Sequence, residues 1–492
     1  MPGELESDNS REGRVIIDRR PLFVVLLSTF RPQIMLSLIL GTFVFGISLD
    51  SPAGLTVEAW RVFCVFGLCV VLWVTALIPL AITGLSAIAL IPLLGIREPE
   101  VTYQYFGSSA VFFILGAFTL GAAVVGCGLS SRLTLKAFER YGNTTWKLVM
   151  AVFGFTALLS CVMSEHAVAA MSFPIVWEIA RNMRGQKGAA EVQKVLFFAM
   201  AWGCIIGGTT TVLGGGRAPL AIGILEQSVG QTITFTQYIL LTIPLVILLM
   251  LLGMVLLRGT YPNDAPSVET ARRQLNERLK QLGKTSLREK LVATVLVVTI
   301  GFWVLRGEEL GLANIAILST GALFGLRLVS WKDIEENVNW GVILMYGGAI
   351  TLGSAMADTG AAYWITEQVF GGWTGSPQLL MLAMGTLTMV MTEFMSNSAV
   401  IAILMPPALS LASVHGVPLW MMTMCVVLPS NFAFMFPMAT PATALAYSSG
   451  AFTTREAIRR GGLLDCMGIL FLAFLVYLYW PWVGQLGLMG GH

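Results

Sequence analysis

The chain is 492 residues long, 56% hydrophobic and only 12% charged, with a mean hydropathy of +0.77. Soluble domains carry about 25% charged residues, and the deficit here runs along most of the sequence. That excludes a soluble protein held by one anchor, while a net charge of +2 gives no footing for nucleic acid.

Residues 1–32 open the chain as a polar tail with Arg11, Arg14, Arg19 and Arg20. No small-residue cleavage site follows a short apolar core, so the tail is expected to be cytoplasmic rather than a cleavable signal. Apolar runs then predict spans near 33–49, 59–80, 83–96, 107–127, 195–225, 236–258, 289–306, 311–328, 338–357, 418–449 and 463–483. Two further stretches, 149–176 and 376–412, carry polar residues at their centres and fit re-entrant hairpins better than crossings. The expected fold is therefore an all-α polytopic membrane protein of about eleven transmembrane helices plus two re-entrant hairpins. The cysteines, Cys64, Cys69, Cys127, Cys161, Cys204, Cys425 and Cys466, form no Cys-x-x-Cys pair, and they read as small packing residues.

Charge sets the orientation. Lys and Arg concentrate in the tail, in 131–147, 181–194, 258–290, 327–332 and 455–460, and none occurs from Asp333 to Thr454. By the positive-inside bias the basic segments are cytoplasmic, so the first hairpin opens to the cytoplasm and the second to the outside. Residues 259–288 form a polar linker, expected as a cytoplasmic helix starting near Pro266 and Ser267. Leu275, Leu279 and Leu282 share one face, Gly283 is the stop, and a basic side is solvated or turned to lipid headgroups.

The chain repeats itself. FGSSAVFFILGAFTLG at 106–121 lines up with VNWGVILMYGGAITLG at 338–353, an offset of 232, and the same offset places SEHAV at 164–168 on SNSAV at 396–400 and Pro174 on Pro406. With hairpins opening to opposite sides, this is an inverted repeat of 33–258 and 289–492, an arrangement that puts substrate and ion sites at the repeat interface near the midplane. Ser164, Glu165 and His166 sit at one hairpin centre and Ser396, Asn397 and Ser398 at the other. The two spans at 195–225 and 418–449 are broken by GGTTTVLGGGRAP (207–219) and FPMATPAT (436–443). Successive glycines followed by proline cannot continue a regular helix in lipid, and such backbone is tolerated where it lines a cavity.

From about Leu55 to Trp482 the chain resembles the divalent anion/sodium symporter (DASS) family of di- and tricarboxylate and sulfate transporters. The carriers are TEFMSNSAV at 392–400 and AFMFPMATPATA at 433–444, with support from TVEAWR at 56–61 and NVNWG at 337–341. The resemblance implies a homodimer with a fixed scaffold and a mobile transport domain that shifts as an elevator. It implies a sodium site at Thr392, Ser396, Asn397 and Ala439, with Ser398, Thr440 and Pro441 facing the anion, and Thr443 where the family usually has asparagine. In the first half Ser160, Ser164 and Gly214 match the other sodium site. Glu165 and His166 replace the usual Asn-Thr, and Arg217 lies where the family usually has a Thr-Pro-Pro-Asn turn. Ser164, Glu165, His166, Thr209 and Arg217, with Ser396, Asn397 and Thr443, complete the expected substrate shell.

An ionisable group at the centre of a membrane helix costs about 2.5–3.5 kcal/mol on the insertion scale. Glu165 must therefore be protonated, bound to a cation or paired with Arg217. Arg217 could alternatively take the anion in bidentate fashion, and His166 could carry a proton. Either a structural Glu165–Arg217 pair or fixed and titratable charges that replace one sodium ion would account for the three residues. Glu393 is open between partnering a neighbouring polar group and an ion-coupling role. An intramembrane hydrolase built on Glu165, His166 and Cys161 lacks a second core histidine and any HExxH pair, so no enzyme is expected, and no cofactor apart from Na+ as coupling ion. The expected protein is a multi-pass secondary transporter of a small dianion, a C4-dicarboxylate first, in a bacterial inner membrane and surrounded by lipid. The alternatives are a proton-coupled or sodium-independent exchanger, or a sulfate transporter, of the same fold.

Overall fold

The structure, a computed structural model, describes residues 30–370, 372–437 and 439–487. All but the last three residues of the tail predicted over 1–32 lie outside the described residues. Every regular element among the described residues is helical, as a bilayer requires of backbone that cannot pair with lipid. The chain forms two units. The first, Met1–Leu49, contributes the apolar helix α1 (Arg31–Ser48). The second, Asp50–His492, holds all that follows.

Its first half runs α2 (Val57–Thr75), α3 (Leu80–Leu93), α4 (Pro99–Phe106), α5 (Ser109–Gly126), α6 (Leu129–Tyr141), α7 (Thr145–Ser160), α8 (Glu165–Asn182), α9 (Ala189–Gly208), α10 (Arg217–Val229) and α11 (Phe235–Thr260). The linker carries α12 (Glu269–Gln281). The second half runs α13 (Leu287–Leu310), α14 (Leu312–Gly325), α15 (Trp331–Asn337), α16 (Trp340–Asp358), α17 (Ala361–Phe370), α18 (Pro377–Thr392), α19 (Asn397–Val414), α20 (Leu419–Val427), a 3-10 turn at Pro429–Asn431, α21 (Pro441–Ser448), α22 (Thr454–Phe474) and α23 (Trp480–Gln485).

Among the described residues nine helical segments are long and apolar enough to cross a membrane. The sequence reading counted apolar runs, whereas helix length is stricter. Helices α3 and α14 have 14 residues each, about 21 Å of helix against a hydrocarbon core of about 30 Å. Each expected broken span is divided between separate helices, α9 with α10 and α20 with α21. Where an apolar run and a helix start differ, a cap explains it. Helix α7 begins at Thr145, ahead of the run predicted from 149, because the Thr144 hydroxyl accepts from the Lys147 N–H.

Small residues bring backbones together where membrane helices lack a hydrophobic drive to associate. A Cβ on Gly348 of α16 would overlap the Gly84 backbone of α3, one on Gly116 of α5 would overlap Ala316 of α14, and one on Gly207 of α9 would overlap Ala157 of α7. The last contact seats the first hairpin on the break that follows α9. Linker helix α12 buries Ala271 and Leu275, while Leu282 is 41% exposed. On its basic side Arg272 and Arg278, each about half exposed, pair with Glu139 and Glu178 on α6 and α8, while Arg273 stays open to the surroundings beside Glu277.

Candidate substrate and cation site

The first hairpin ends where α7 stops at Ser160 and α8 starts at Glu165, with Ser164 at its N-cap. The end is tied to the break between α9 and α10. Thr211 donates its hydroxyl to the Cys161 carbonyl at 2.5 Å, and the Glu165 N–H donates to the Gly214 carbonyl at 2.9 Å. Glu165 is 0% exposed and Arg217 is 3% exposed. Arg217 opens α10 and folds back, its Nη2 donating to the Gly208 carbonyl at 2.7 Å and its Nη1 lying 3.4 Å from Glu165 Oε1. The guanidinium therefore meets the carbonyl end of α9, the negative pole of that helix. Gly208 and Gly215 leave the room: a Cβ on the first would press on Glu165 Oε2, and one on the second would overlap the guanidinium. His166 Nδ1 is 3.7 Å from Glu165 Oε1, and its side chain is 45% exposed.

The second hairpin end holds no such charge. The Thr392 hydroxyl lies 2.8 Å from Asn397 Oδ1 and 2.8 Å from the Ser430 carbonyl. One hydroxyl proton serves both acceptors, so three oxygens converge with too few protons to satisfy them. That donor set suits a small hard cation. Glu393, next to Thr392, turns away and accepts from the Met435 and Phe436 N–H groups at 3.0 Å each.

The two ends form one hydrogen-bonded cluster. Asn397 Nδ2 donates to Asn431 Oδ1 at 3.4 Å, and Asn431 Nδ2 lies 2.6 Å from both the Ile205 carbonyl and the Thr209 hydroxyl. Thr209 follows Gly208, the residue against which Glu165 and Arg217 pack. A second bridge runs through Tyr346 on α16. Its hydroxyl is 3.3 Å from Ser398 Oγ and fills the space a Cβ on Gly216 would take.

The expected residues thus fall into groups. Glu165, Gly214, Arg217 and Thr209 join Thr392, Asn397 and Ser398 through Asn431 and Tyr346. Ser160 is buried beneath the first end. Thr440 and Thr443 face each other at 3.1 Å and cap α21 reciprocally, each accepting from the other's N–H. Pro441 is exposed at the first position of α21, and Ala439 is buried in the turn before it. Ser164 and Ser396 are half-buried N-caps. Sequence reasoning missed Asn431 and Tyr346. The only signal was a lone polar residue in each apolar stretch, and Tyr346 aligns with apolar Ile114 in the repeat.

A cavity of about 1180 Å³ opens beside the first break, with Val212 and Pro219 on its wall and Glu226, Gln231, Glu308 and Asn314 among its polar groups. None of the expected site residues lines it, so the hydrogen-bonded cluster, rather than this cavity, is the candidate site.

The profile of the sodium:sulfate symporter transmembrane region matches residues 32–486. The chain is 24% identical over 488 residues to the sodium-dependent dicarboxylate transporter SdcS of Staphylococcus saprophyticus, with 94% of this chain and 90% of that one covered. It is 26% identical over 477 residues to SdcS of Staphylococcus aureus, with 91% of each covered. Among solved structures, it is similar to the YdaH transporter of Alcanivorax borkumensis, with a TM-score of 0.54, 14% identity and coverage of 79% of this chain and 88% of that one. Neisseria gonorrhoeae MtrF follows with a TM-score of 0.52, 13% identity and coverage of 76% and 82%. At those identities the two structures speak for the fold alone.

Proposed function

The chain belongs to the sodium:sulfate symporter family, and from that premise we propose that it is a sodium-coupled secondary transporter of a small dicarboxylate, a C4 diacid first. It is a membrane transporter and not an enzyme. The observation that carries the reading is the chain of hydrogen bonds from Asn397 through Asn431 to Thr209. It draws the polar ends of two separate hairpins, each joined to a broken span, into one cluster among apolar helices. Sodium sits in this reading among Thr392, Asn397, the Ser430 carbonyl and the neighbouring Ser396 and Ala439 backbone. The dianion sits on the exposed side of the same ends, against Ser164, His166, Ser398 and Pro441, with Thr440 and Thr443 behind. The N-termini of α8, α19 and α21 add the positive poles that anions favour.

The names of the relatives support dicarboxylate over sulfate. The same reading puts the basic segments and the N-terminus on the cytoplasmic side. It also has a homodimer move its hairpins and broken spans together as an elevator past α3, α5, α14 and α16.

Radiolabelled succinate uptake into proteoliposomes tests the proposal, with citrate and sulfate as competitors and sodium, proton or counter-anion gradients imposed separately. Concentrative uptake under a sodium gradient alone is expected. Uptake driven only by internal succinate, or competed by sulfate and not by other diacids, would overturn it.

A further inference from the structure

The two hairpin ends occupy equivalent places in the repeat, Glu165 falling on Asn397 at the offset of 232, yet they are built from opposite chemistry. At the second end the converging groups are neutral oxygens and amides. No Lys, Arg or His is hydrogen-bonded or ion-paired there among the described residues. At the first end a carboxylate that is 0% exposed faces a guanidinium that is 3% exposed, and the guanidinium also takes the Gly208 carbonyl at the end of α9. Arginine stays charged under any ordinary condition, so a positive charge is present at this end in every state of the carrier.

We propose that Arg217 is a tethered cation that occupies the first-half cation position, so that coupling sodium binds at the second-half end alone. The inference rests on the proposed sodium-coupled function and names the ion stoichiometry of the same site. Three features support it. The guanidinium faces Glu165 at 3.4 Å and donates to the Gly208 carbonyl, and at 3% exposed it is shut away from the open side of the hairpin ends where a substrate anion would sit. Glu165 places a carboxyl at this end where Asn397 places an amide at the other, and the guanidinium 3.4 Å away is the cation that faces it. The glycines at 208 and 215 open the space that the carboxylate and the guanidinium take. Because the cation is covalently held, it returns with the empty carrier, and its charge contributes nothing to net transport.

The test is chemical rescue. Arg217→Ala is expected to lower sodium-driven succinate uptake by tenfold or more, and millimolar guanidinium chloride to restore a substantial part of it saturably. Tetramethylammonium chloride at the same ionic strength should not. Arg217→Ala combined with Glu165→Gln should lose the guanidinium response, since the carboxylate that holds the ion is gone. In the wild type the uptake rate should follow sodium concentration with a Hill coefficient near one. Where the Ala variant folds poorly, Arg217→Lys keeps a tethered cation with one contact fewer and is expected to transport at a reduced rate with the same sodium order. Thermal unfolding of purified Arg217→Ala with and without guanidinium reads the cation site without any transport. Unchanged uptake and sodium order in Arg217→Ala, guanidinium no better than tetramethylammonium, or a wild-type Hill coefficient of two overturns the proposal. A wild type with no sodium-driven uptake sinks the functional reading instead, and the guanidinium-dependent thermal shift still decides the tethered cation.

Discussion

The hairpin end at α7–α8 and the one at α18–α19 are the same device made twice, and they handle the cost of polarity inside a bilayer in different ways. At the second, Thr392, Asn397, Ser430 and Asn431 hold each other through neutral hydrogen bonds of 2.8 to 3.4 Å. At the first, Glu165 and Arg217 face each other with almost no exposure, and neither Glu165 oxygen accepts a hydrogen bond of good geometry. A neutral network loses little when one member is weakened, because the others can turn toward a solute or water. A buried ion pair does not relax in this way, since each partner is costly without the other. The two ends should therefore respond differently to the same kind of substitution.

The largest effect should come from splitting the ion pair. Glu165→Gln leaves Arg217 buried without its counter-charge, a change that costs about 3–5 kcal/mol in comparable cases. Purified protein should unfold at a markedly lower temperature, and uptake should fall with it. Pairing the change with Arg217→Gln removes both charges and should recover much of the thermal stability without recovering sodium-driven uptake. A double variant no more stable than the single one would show that the pair is not a unit.

Next comes the joint between the halves. Asn431→Leu keeps the branching but takes the acceptor from the Asn397 amide and a donor from the Ile205 carbonyl and the Thr209 hydroxyl, which keep only their bond to each other at 3.1 Å. An unpaired buried polar group costs about 1–3 kcal/mol. Because Asn431 touches both hairpin systems, the apparent affinities for sodium and succinate should worsen together. A Thr209→Val variant, which removes one partner only, should do less. If Asn431→Leu moved sodium affinity alone, the claim of one shared cluster would fail.

How far these features were legible follows the same contrast. The hairpins and breaks showed in the sequence because serine, asparagine, glycine and proline interrupt long apolar runs, and the offset of 232 tied one interruption to the other. The Glu165–Arg217 pair was legible as one of several options, since two opposite charges in apolar surroundings need each other. The choice among them needed the position of the guanidinium relative to Gly208. Asn431 was not legible: it stands in a 3-10 turn inside a run read as broken only further on, at 436–443, and its partners are 222 and 34 residues away. Tyr346 was hidden in the same way, as one hydroxyl on an apolar helix. The number of crossings is less sharply legible, since apolarity alone does not report whether helices of 14 residues reach across.

A smaller effect should mark Tyr346, the second bridge. Tyr346→Phe removes one hydrogen bond to Ser398 and leaves the ring packing intact, about 0.5–1.5 kcal/mol and at most roughly tenfold in binding. The KM for succinate should rise while the maximal rate holds. A fall in rate at unchanged KM would assign the tyrosine to movement rather than binding.

The smallest effect belongs to a carboxylate outside both ends. Asp333 accepts from the Ser330 N–H and hydroxyl at 2.8 Å each and pairs with Arg288 at 3.2 Å. These hydrogen bonds, with the guanidinium behind them, hold its carboxyl below the usual carboxylate range. A depressed folded value means that its contribution to stability is present above the unfolded carboxylate value of about 3.9 and is lost as pH falls through the folded value. Asp333→Asn keeps the cap acceptor and removes only the charge, so thermal stability at neutral pH should fall slightly, by the small contribution this exposed pair makes there, and the acid limb of the profile should flatten by the same amount. Both side chains of this pair are partly exposed, 42% and 27%, against 3% and 0% for Arg217 and Glu165. An effect of Asp333→Asn at neutral pH as large as that of Glu165→Gln would mean that burial is not what separates the two pairs, and the distinction between a charged and a neutral hairpin end would lose its physical basis.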